Sequence, residues 1–496
     1  MARECKQKRP IPRRLKGFRD ITSETVRARD TMIATIRGVY ERYGYTALET
    51  PALEYVDVLG KFLPESEAPS GGIFALRDED DEWIALRYDL TAPLSRFVAM
   101  NFQELPTPYR RYQVGPVYRL EKPGPGRFRE FYQFDFDSVG TGSMLADAEV
   151  CMIMCDTLEA LGVNRGDYIV KVNDRKVLNG VLEKVTAGGK LSSDISLQVL
   201  RTIDKLDRLG REGVEQLLGE GRLDESGAYV EGVGLQPEQI SRVMAYLEIK
   251  ADTRQTTCDR LSELVEGSKI GMEGVDELRQ IDEALTAGGY GEDRVEIDPT
   301  VARGLDYYTG PVFEGVLTFD IVDDKGVTRQ FGSVFGGGRY DDLVQRFTGQ
   351  KVPATGASIG VDRLLSALLT LGKIDVDSTT AKVLVTRLDK KLTAEYQKIA
   401  GQLRDAGINT ELYVGTQGIG KQFKYASDTG RIVAVVMGSD EMEKGEVSIK
   451  DLKLGEELSE EIGPDRKAWL KQQPAQFSVP RSDIVKAVQE VLARHA

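Results

Sequence analysis

Residues 109–140 read YRRYQVGPVYRLEKPGPGRFREFYQFDFDSVG. Two strand-like runs flank EKPGPGR, whose alternation of proline and glycine can only be a loop, so the stretch predicts an antiparallel hairpin with a long arm. Side chains on a strand alternate between faces. In the second run this puts Arg129, Phe131, Gln133, Asp135 and Asp137 on one face and Tyr132, Phe134 and Phe136 on the other. The second face is apolar enough to bury, while the first is a row of polar groups.

Working outward, SETVRARDTMIATIRGVYERYG (23–44) carries apolar residues at helical spacing and ends on Gly44, a plausible C-cap. YTALETPALEY follows as a strand broken at Pro51, which marks an edge or an end. Residues 175–290 are helix-rich and polar between glycine turns, and they read as an insertion into a strand-rich body. Strands return with RVEIDPTVARGLDYYTGPVFEGVLTFDIVDD, QFGSVFGGGRYDDLV and ATGASIGVDRLLSALLTLG, the last passing from strand into helix. Beyond LGKIDVDSTTAK, strand and helix alternate as in a small α/β domain closed by a terminal helix. The expected organisation is therefore 1–174 and 291–372 as two parts of one body, 175–290 as a helical insertion, and 381–496 as a separate α/β domain.

A chain of 496 residues is too long for one hydrophobic core. A hydrophobic fraction of 41%, a charged fraction of 29% and a mean hydropathy of −0.31 describe a soluble globular protein. No stretch approaches the roughly 18 apolar residues of a membrane span. The basic start, MARECKQKRPIPRRLKG, has no apolar core and reads as a loose arm. The four cysteines form no C-x-x-C pair, which fits a reducing compartment, and Cys151 and Cys155 sit on an apolar helix where packing is the simplest reading. The cytoplasm is the expected location. The one histidine, His495, is next to the C-terminus, so Ser-His-Asp, Cys-His and H-E-x-x-H chemistry are excluded. No metal-ligand cluster is evident. A net charge of −13 does not exclude nucleic acid, because phosphate contact depends on local basic patches.

Arg119, Arg303 and Arg363 each stand beside a glycine or a strand end, where a guanidinium can be fixed to grip a phosphate or carboxylate with two parallel hydrogen bonds. With Asp89 and Asp137 they suggest a site for a zwitterion and a polyphosphate. At this point the sequence resembles class II aminoacyl-tRNA synthetases, and within them the histidyl enzymes. GYTALETPALE resembles motif 1, VYRLEKPGPGRFREF resembles motif 2, and GASIGVDRL resembles motif 3, with Asp362 where a glutamate is usual. LRYDLTAP resembles the amino-acid-binding strand, and RGLDYYTG (303–310) resembles the signature that separates histidyl enzymes from other class II members.

The resemblance covers almost the whole chain and implies an α/β (α+β) multidomain protein: an antiparallel-sheet catalytic domain with a helical insertion, and a C-terminal anticodon-binding domain. It implies ATP-dependent attachment of histidine to tRNA(His) through a histidyl-adenylate. By matching motifs, Arg119 and Arg303 would be catalytic. Asp89, Thr91 and Gln133 would hold the substrate ammonium, Asp137 the imidazole N–H, and Tyr307 and Tyr308 would wall the ring. ATP would meet Arg119, Glu121, Arg127, Phe128 and Arg363, with Mg2+ on its phosphates and no structural metal in the protein. The shorter aspartates at 89 and 137 replace the glutamates of many members, and the arm tip Pro123-Gly124-Pro125-Gly126 offers no polar side chain to the tRNA acceptor end. Lys421, Phe423, Lys424 and Tyr425 would contact the anticodon stem-loop. The family implies a homodimer across motif 1. The rival reading is a non-catalytic, synthetase-like regulatory protein of histidine metabolism, opposed by the arginine signature and the C-terminal domain.

Overall fold

The computed structural model describes residues 10–59, 72–122, 128–185, 193–224, 227–302, 308–322, 328–374, 379–462 and 475–495. The chain divides into two compact units: 1–20 with 29–375, and 21–28 with 376–496.

The larger unit is built on one eight-stranded sheet. Its strands, numbered along the chain, are β1 (Thr46–Ala47), β2 (Tyr109–Tyr118), β3 (Glu130–Val139), β4 (Tyr168–Asp174), β5 (Val295–Ile297), β6 (Pro311–Val322), β7 (Thr328–Arg339) and β8 (Ala354–Gly360). They lie in the order β1-β2-β3-β8-β7-β6-β4-β5, and only the two edge pairs, β1 with β2 and β4 with β5, run parallel. The quoted stretch is the β2–β3 hairpin, with Tyr112 opposite Phe136 and Gln113 opposite Asp135.

The alternation of β3 decides what each face of the sheet does. Phe134 and Phe136 are fully buried, and Tyr40 from helix α1 (Ser23–Arg42) packs on both rings at 4.9 and 4.7 Å between centroids. Burying each phenyl ring contributes about 1.5–3 kcal/mol, and a close tilted ring pair about 0.5–1.5 kcal/mol more. Removing one ring by Phe136→Ala would cost about 3–5 kcal/mol.

On the opposite face, β8 brings only small residues beside the polar row: Gly356 lies opposite Asp137, Ser358 opposite Asp135 and Gly360 opposite Gln133. Gly338 and Gly336 of β7 continue the same rows. This low floor leaves room above the sheet. A Cβ at Gly356 would stand 2.3 Å from Asp137 Oδ1, and one at Gly338 would stand 2.9 Å from the ring of Tyr308. Glycine is required at both because another group lies close against the backbone.

Four helices pack on or beside the sheet, and the first and last of them carry residues of the site, Thr91 and Arg363. Helix α2 (Thr91–Met100) begins where Asp89 Oδ1 accepts from the backbone N–H groups of Thr91 (3.1 Å) and Ala92 (2.9 Å). Helix α3 (Met144–Ala160) is capped by Ser143 and packs against the sheet with Cys151 and Cys155 buried and reduced. Helix α4 (Lys269–Ala287) comes from the helix-rich stretch between β4 and β5 and packs on α3. Helix α5 (Val361–Thr370) follows β8 directly. Its Asp362 accepts from the Tyr132 N–H (2.8 Å) and pairs with Arg19, which fixes the helix start to β3.

In the second unit, β9 (Val383–Val385), β10 (Thr410–Leu412), β11 (Val433–Val436), β12 (Glu446–Asp451) and β13 (Gln476–Pro480) form a sheet in the order β10-β9-β11-β12-β13. Val383, Val385, Val433 and Val435 pack there with Ile399, Leu403, Val488 and Val491 from flanking helices. His495 is held by the buried Asp451 through Nε2, at 2.9 and 3.0 Å from the two carboxylate oxygens. Among the described residues no helix is long and apolar enough to cross a membrane.

Candidate active site

A cavity of about 920 Å³ opens over the polar face of β3. Its wall takes Asp89 and Thr91 from the start of α2, Arg119 from the end of the hairpin strand, and Gln133, Asp135 and Asp137 from β3. Tyr308, Tyr340, Ser358, Arg346 and Arg363 complete it. Seven residues expected to form a site therefore line one space: Asp89, Thr91, Arg119, Gln133, Asp137, Tyr308 and Arg363. Glu121 and Phe128 are not on this wall. The Glu121 carbonyl accepts from Arg129 Nε (3.1 Å), and the guanidinium of Arg19 lies 3.9 Å over the Phe128 ring. Arg127, Arg303 and Tyr307 lie outside the described residues.

The cations are fixed by aromatic rings and carbonyls. Arg119 donates from Nε to the Tyr88 carbonyl (3.4 Å), with its guanidinium 4.4 Å from the Tyr88 ring and 5.1 Å from that of Phe131. Arg363 donates to the Phe331 carbonyl at 2.8 Å. An arginine held on a ring keeps its charge and loses little further freedom when a phosphate arrives. Tyr308 is set by its own backbone: its carbonyl accepts from Arg175 Nη1 (2.9 Å), and the next residue's N–H donates to the Arg339 carbonyl (2.8 Å).

The acidic groups are less evenly provided for. Asp137 accepts from the Tyr340 hydroxyl, and its Oδ2 lies 2.7 Å from Nη2 of Arg111, which is fully buried. That contact is an ion pair, since Nη2 directs its hydrogen bond to the Leu90 carbonyl at 3.1 Å. Burial pushes the Asp137 carboxyl above the usual carboxylate range, and Arg111 and Tyr340 oppose the shift. Burial pushes Asp135 up to about 7, with Arg111 opposing, Asp137 adding, and a Ser358 hydrogen bond opposing. Gln133 Nε2 donates to the same Ser358 hydroxyl at 2.6 Å.

Arg111, Tyr340 and Ser358 went unnoticed in the sequence. Tyr340 lies 203 residues from its Asp137 partner, and no local pattern announces so distant a contact. The neighbouring signal that could have found Ser358 is its place in GASIG, on the same strand face as two glycines.

A family model for histidyl-tRNA synthetase matches residues 17–364. The chain belongs to the histidyl-tRNA synthetase family. A second model, for an anticodon binding domain, matches residues 382–490, the stretch that holds β9 to β13. The chain is 52% identical to a histidine–tRNA ligase of Roseobacter denitrificans over 519 aligned positions, covering 100% of this chain and 99% of that one. It is 53% identical to one of Ruegeria sp. (strain TM1040), over 99% and 98% of the two chains. Among solved structures, the histidyl-tRNA synthetase from Nostoc sp. PCC 7120 aligns with a TM-score of 0.73 at 30% identity, over 98% of this chain and 100% of that one. The mixed α/β architecture, with its antiparallel-rich sheet and C-terminal unit, is that of this synthetase family.

Proposed function

We propose that the cavity over β3 is where histidine is activated by ATP, before its transfer to the terminal ribose of tRNA(His). Aminoacylation of tRNA(His) follows from the family over the full length of the chain. The roles of individual residues are our reading of the site. The observation that carries it is the gathering of Asp89, Thr91, Arg119, Gln133, Asp137, Tyr308 and Arg363 from separate stretches onto one wall.

In this reading Asp89, Thr91 and Gln133 accept from the substrate ammonium, Asp137 faces the imidazole N–H, and Tyr307 and Tyr308 wall the ring. Arg119 and Arg303 draw the substrate carboxylate and the α-phosphate of ATP together, while Arg363 takes the γ-phosphate. Glu121, Arg127 and Phe128 hold the nucleotide. Since Arg19 covers one face of Phe128, adenine stacks on the other. Mg2+ arrives with the phosphates as part of the ATP substrate, and among the described residues no cluster of His, Cys, Asp and Glu is placed to hold a metal of its own.

A carboxylate oxygen of histidine attacks the α-phosphorus, a new O–P bond forms, and pyrophosphate leaves with the electrons of the broken O–P bond. A ribose hydroxyl of the tRNA then attacks the acyl carbon, its proton passes to the phosphate group of the adenylate, the acyl C–O bond to that phosphate breaks, and AMP leaves. Arginines fixed in advance supply the charge neutralisation such a displacement needs, and no protein base is required. The C-terminal unit reads the anticodon stem-loop, the protein works as a homodimer in the cytoplasm, and a regulatory role without turnover is the second reading. Full-length likeness to histidine–tRNA ligases and the anticodon-binding match at 382–490 favour the enzyme.

The test is amino-acid-dependent ATP–pyrophosphate exchange across a panel of amino acids. Exchange with histidine alone, reduced by roughly a hundredfold or more in Arg303→Ala, is expected. No exchange with any amino acid by folded protein would leave the regulatory reading standing.

A further inference from the structure

Along β3 the cavity meets Gln133, Asp135 and Asp137 in turn, and the middle carboxylate has no part in the roles set out above. Asp135 is only 2% exposed. Its carboxylate shares the Ser358 hydroxyl with Gln133, yet Oδ1 is buried without a hydrogen-bond partner, and so is Oε1 of Gln133. Among the described residues Asp135 makes no ion pair. The buried cation nearest in effect is Arg111, which already stands 2.7 Å from Asp137. A buried charge left without a partner is destabilising and is retained where a ligand completes it.

Two open acceptors tied to one hydroxyl, on a wall that also carries Asp89, match an ammonium group, which has three N–H donors and a positive charge. A neutral ring has one N–H, and Asp137 is the carboxylate placed beyond Asp135 toward Arg111 and Tyr340. We propose that Asp135 is a specificity-determining residue that accepts from the α-ammonium of histidine through Oδ1, beside Gln133, with Ser358 orienting both acceptors. The proposal rests on histidine lying in this cavity.

Charge belongs to the same argument. The groups acting on Asp135 are Arg111 and Gln113 from β2, Asp137 from its own strand, Ser358 from β8, Asp89 from the start of α2, and Arg87 just before it. Arg111 and Arg87 are the cations among them, the first paired with Asp137 and the second donating to the Pro116 and Thr50 carbonyls, and three are carboxylates when Asp135 is counted. The ammonium brings the missing positive charge.

Calorimetric titration of the full-length protein tests this with three ligands. Histidine and histidinol both carry ammonium and ring, while imidazolepropionate carries ring and carboxylate without the ammonium. In Asp135→Asn, histidine and histidinol should bind roughly ten- to a hundredfold more weakly, as expected for a lost charge-assisted bond, and imidazolepropionate should change less than about threefold. Ser358→Ala keeps the carboxylate and should give the same pattern at a smaller size, so it decides the matter if the first variant does not fold. Equal weakening of all three ligands, or unchanged histidine binding, would overturn the proposal. If wild type binds histidine and loses it equally in all variants, Asp135 fails while the cavity assignment stands. If wild type binds no histidine at all, the cavity assignment fails and takes the proposal with it.

Discussion

Asp147 and Asp135 are both carboxylates with almost no exposure, one on α3 and the other on β3, and the molecule treats them in opposite ways. Asp147 is met by Arg339, which is itself 3% exposed and is anchored by donation from Nη1 to the Thr141 carbonyl at 2.9 Å. Burial pushes both acids above the usual carboxylate range. Arg339 pulls Asp147 back with its charge and a hydrogen bond, whereas the attraction on Asp135 comes first from Arg111, which also serves Asp137, and from Arg87, neither of which forms an ion pair with it. The difference separates a charge that joins α3 to the sheet from a charge that waits beside a cavity.

The hardest way to break this comparison is to strip the cation from the first pair. Arg339→Met should leave Asp147 buried and alone, at a loss of about 3–5 kcal/mol in urea unfolding. Replacing both partners with well-packed apolar residues should recover most of that loss, because the penalty belongs to the orphaned charge. A single variant that unfolds within about 1 kcal/mol of wild type would mean that Asp147 does not depend on Arg339.

The opposite sign is expected at Asp135 in unliganded protein. Its carboxyl is raised in the folded state from an ordinary 3.8 to about 7. Between those values the unfolded chain has released the proton while the folded chain still holds it, so stability falls as pH rises and levels off above about 7. Asp135→Asn lacks this term. Unfolding curves at pH 8 should show the variant more stable than wild type by roughly 2–4 kcal/mol, with the difference shrinking toward pH 4. Parallel pH profiles for the two proteins would show that Asp135 is not an unpaired buried acid, and the contrast with Asp147 would disappear.

What could be read in advance follows from the range of each physical signal. Period-two alternation is local, so the polar row of Gln133, Asp135 and Asp137 and the aromatic row behind it were both legible before any fold was known. Strand pairing is not local. Arg111 meets Asp137 because Arg111 lies opposite it in the β2–β3 register, and Gly356 leaves room for the same carboxylate because β8 pairs on the other side. The glycines of QFGSVFGGGRY were visible as glycines, but the ring of Tyr308 lying over Gly338 belongs to tertiary structure. Asp135 is the telling case. Its face was legible and its loneliness was not, since the lack of a charge partner depends on every element packed around it.

The smallest effect lies in the second unit, where charge sits at the surface. Helix α6 (Ile419–Asp428) exposes Lys421 and Lys424, and Lys424 stands 3.2 Å from Asp428 one turn later. Its aromatic residues are already engaged: Lys450 Nζ lies 4.2 Å over the Phe423 ring, and the Tyr425 hydroxyl donates to Glu411 at 2.8 Å. Phosphate contact by the lysines is therefore a better use of this face than base stacking by the rings. An exposed pair such as Lys424–Asp428 is worth about 0.3–0.5 kcal/mol, so Lys424→Ala should barely change unfolding. If the face meets a tRNA backbone, the same change should raise KM for tRNA a few-fold and lower the salt slope of tRNA binding by about 0.7–0.9, with pyrophosphate exchange untouched. Unchanged tRNA binding at every salt concentration would make these lysines a solvated helix face.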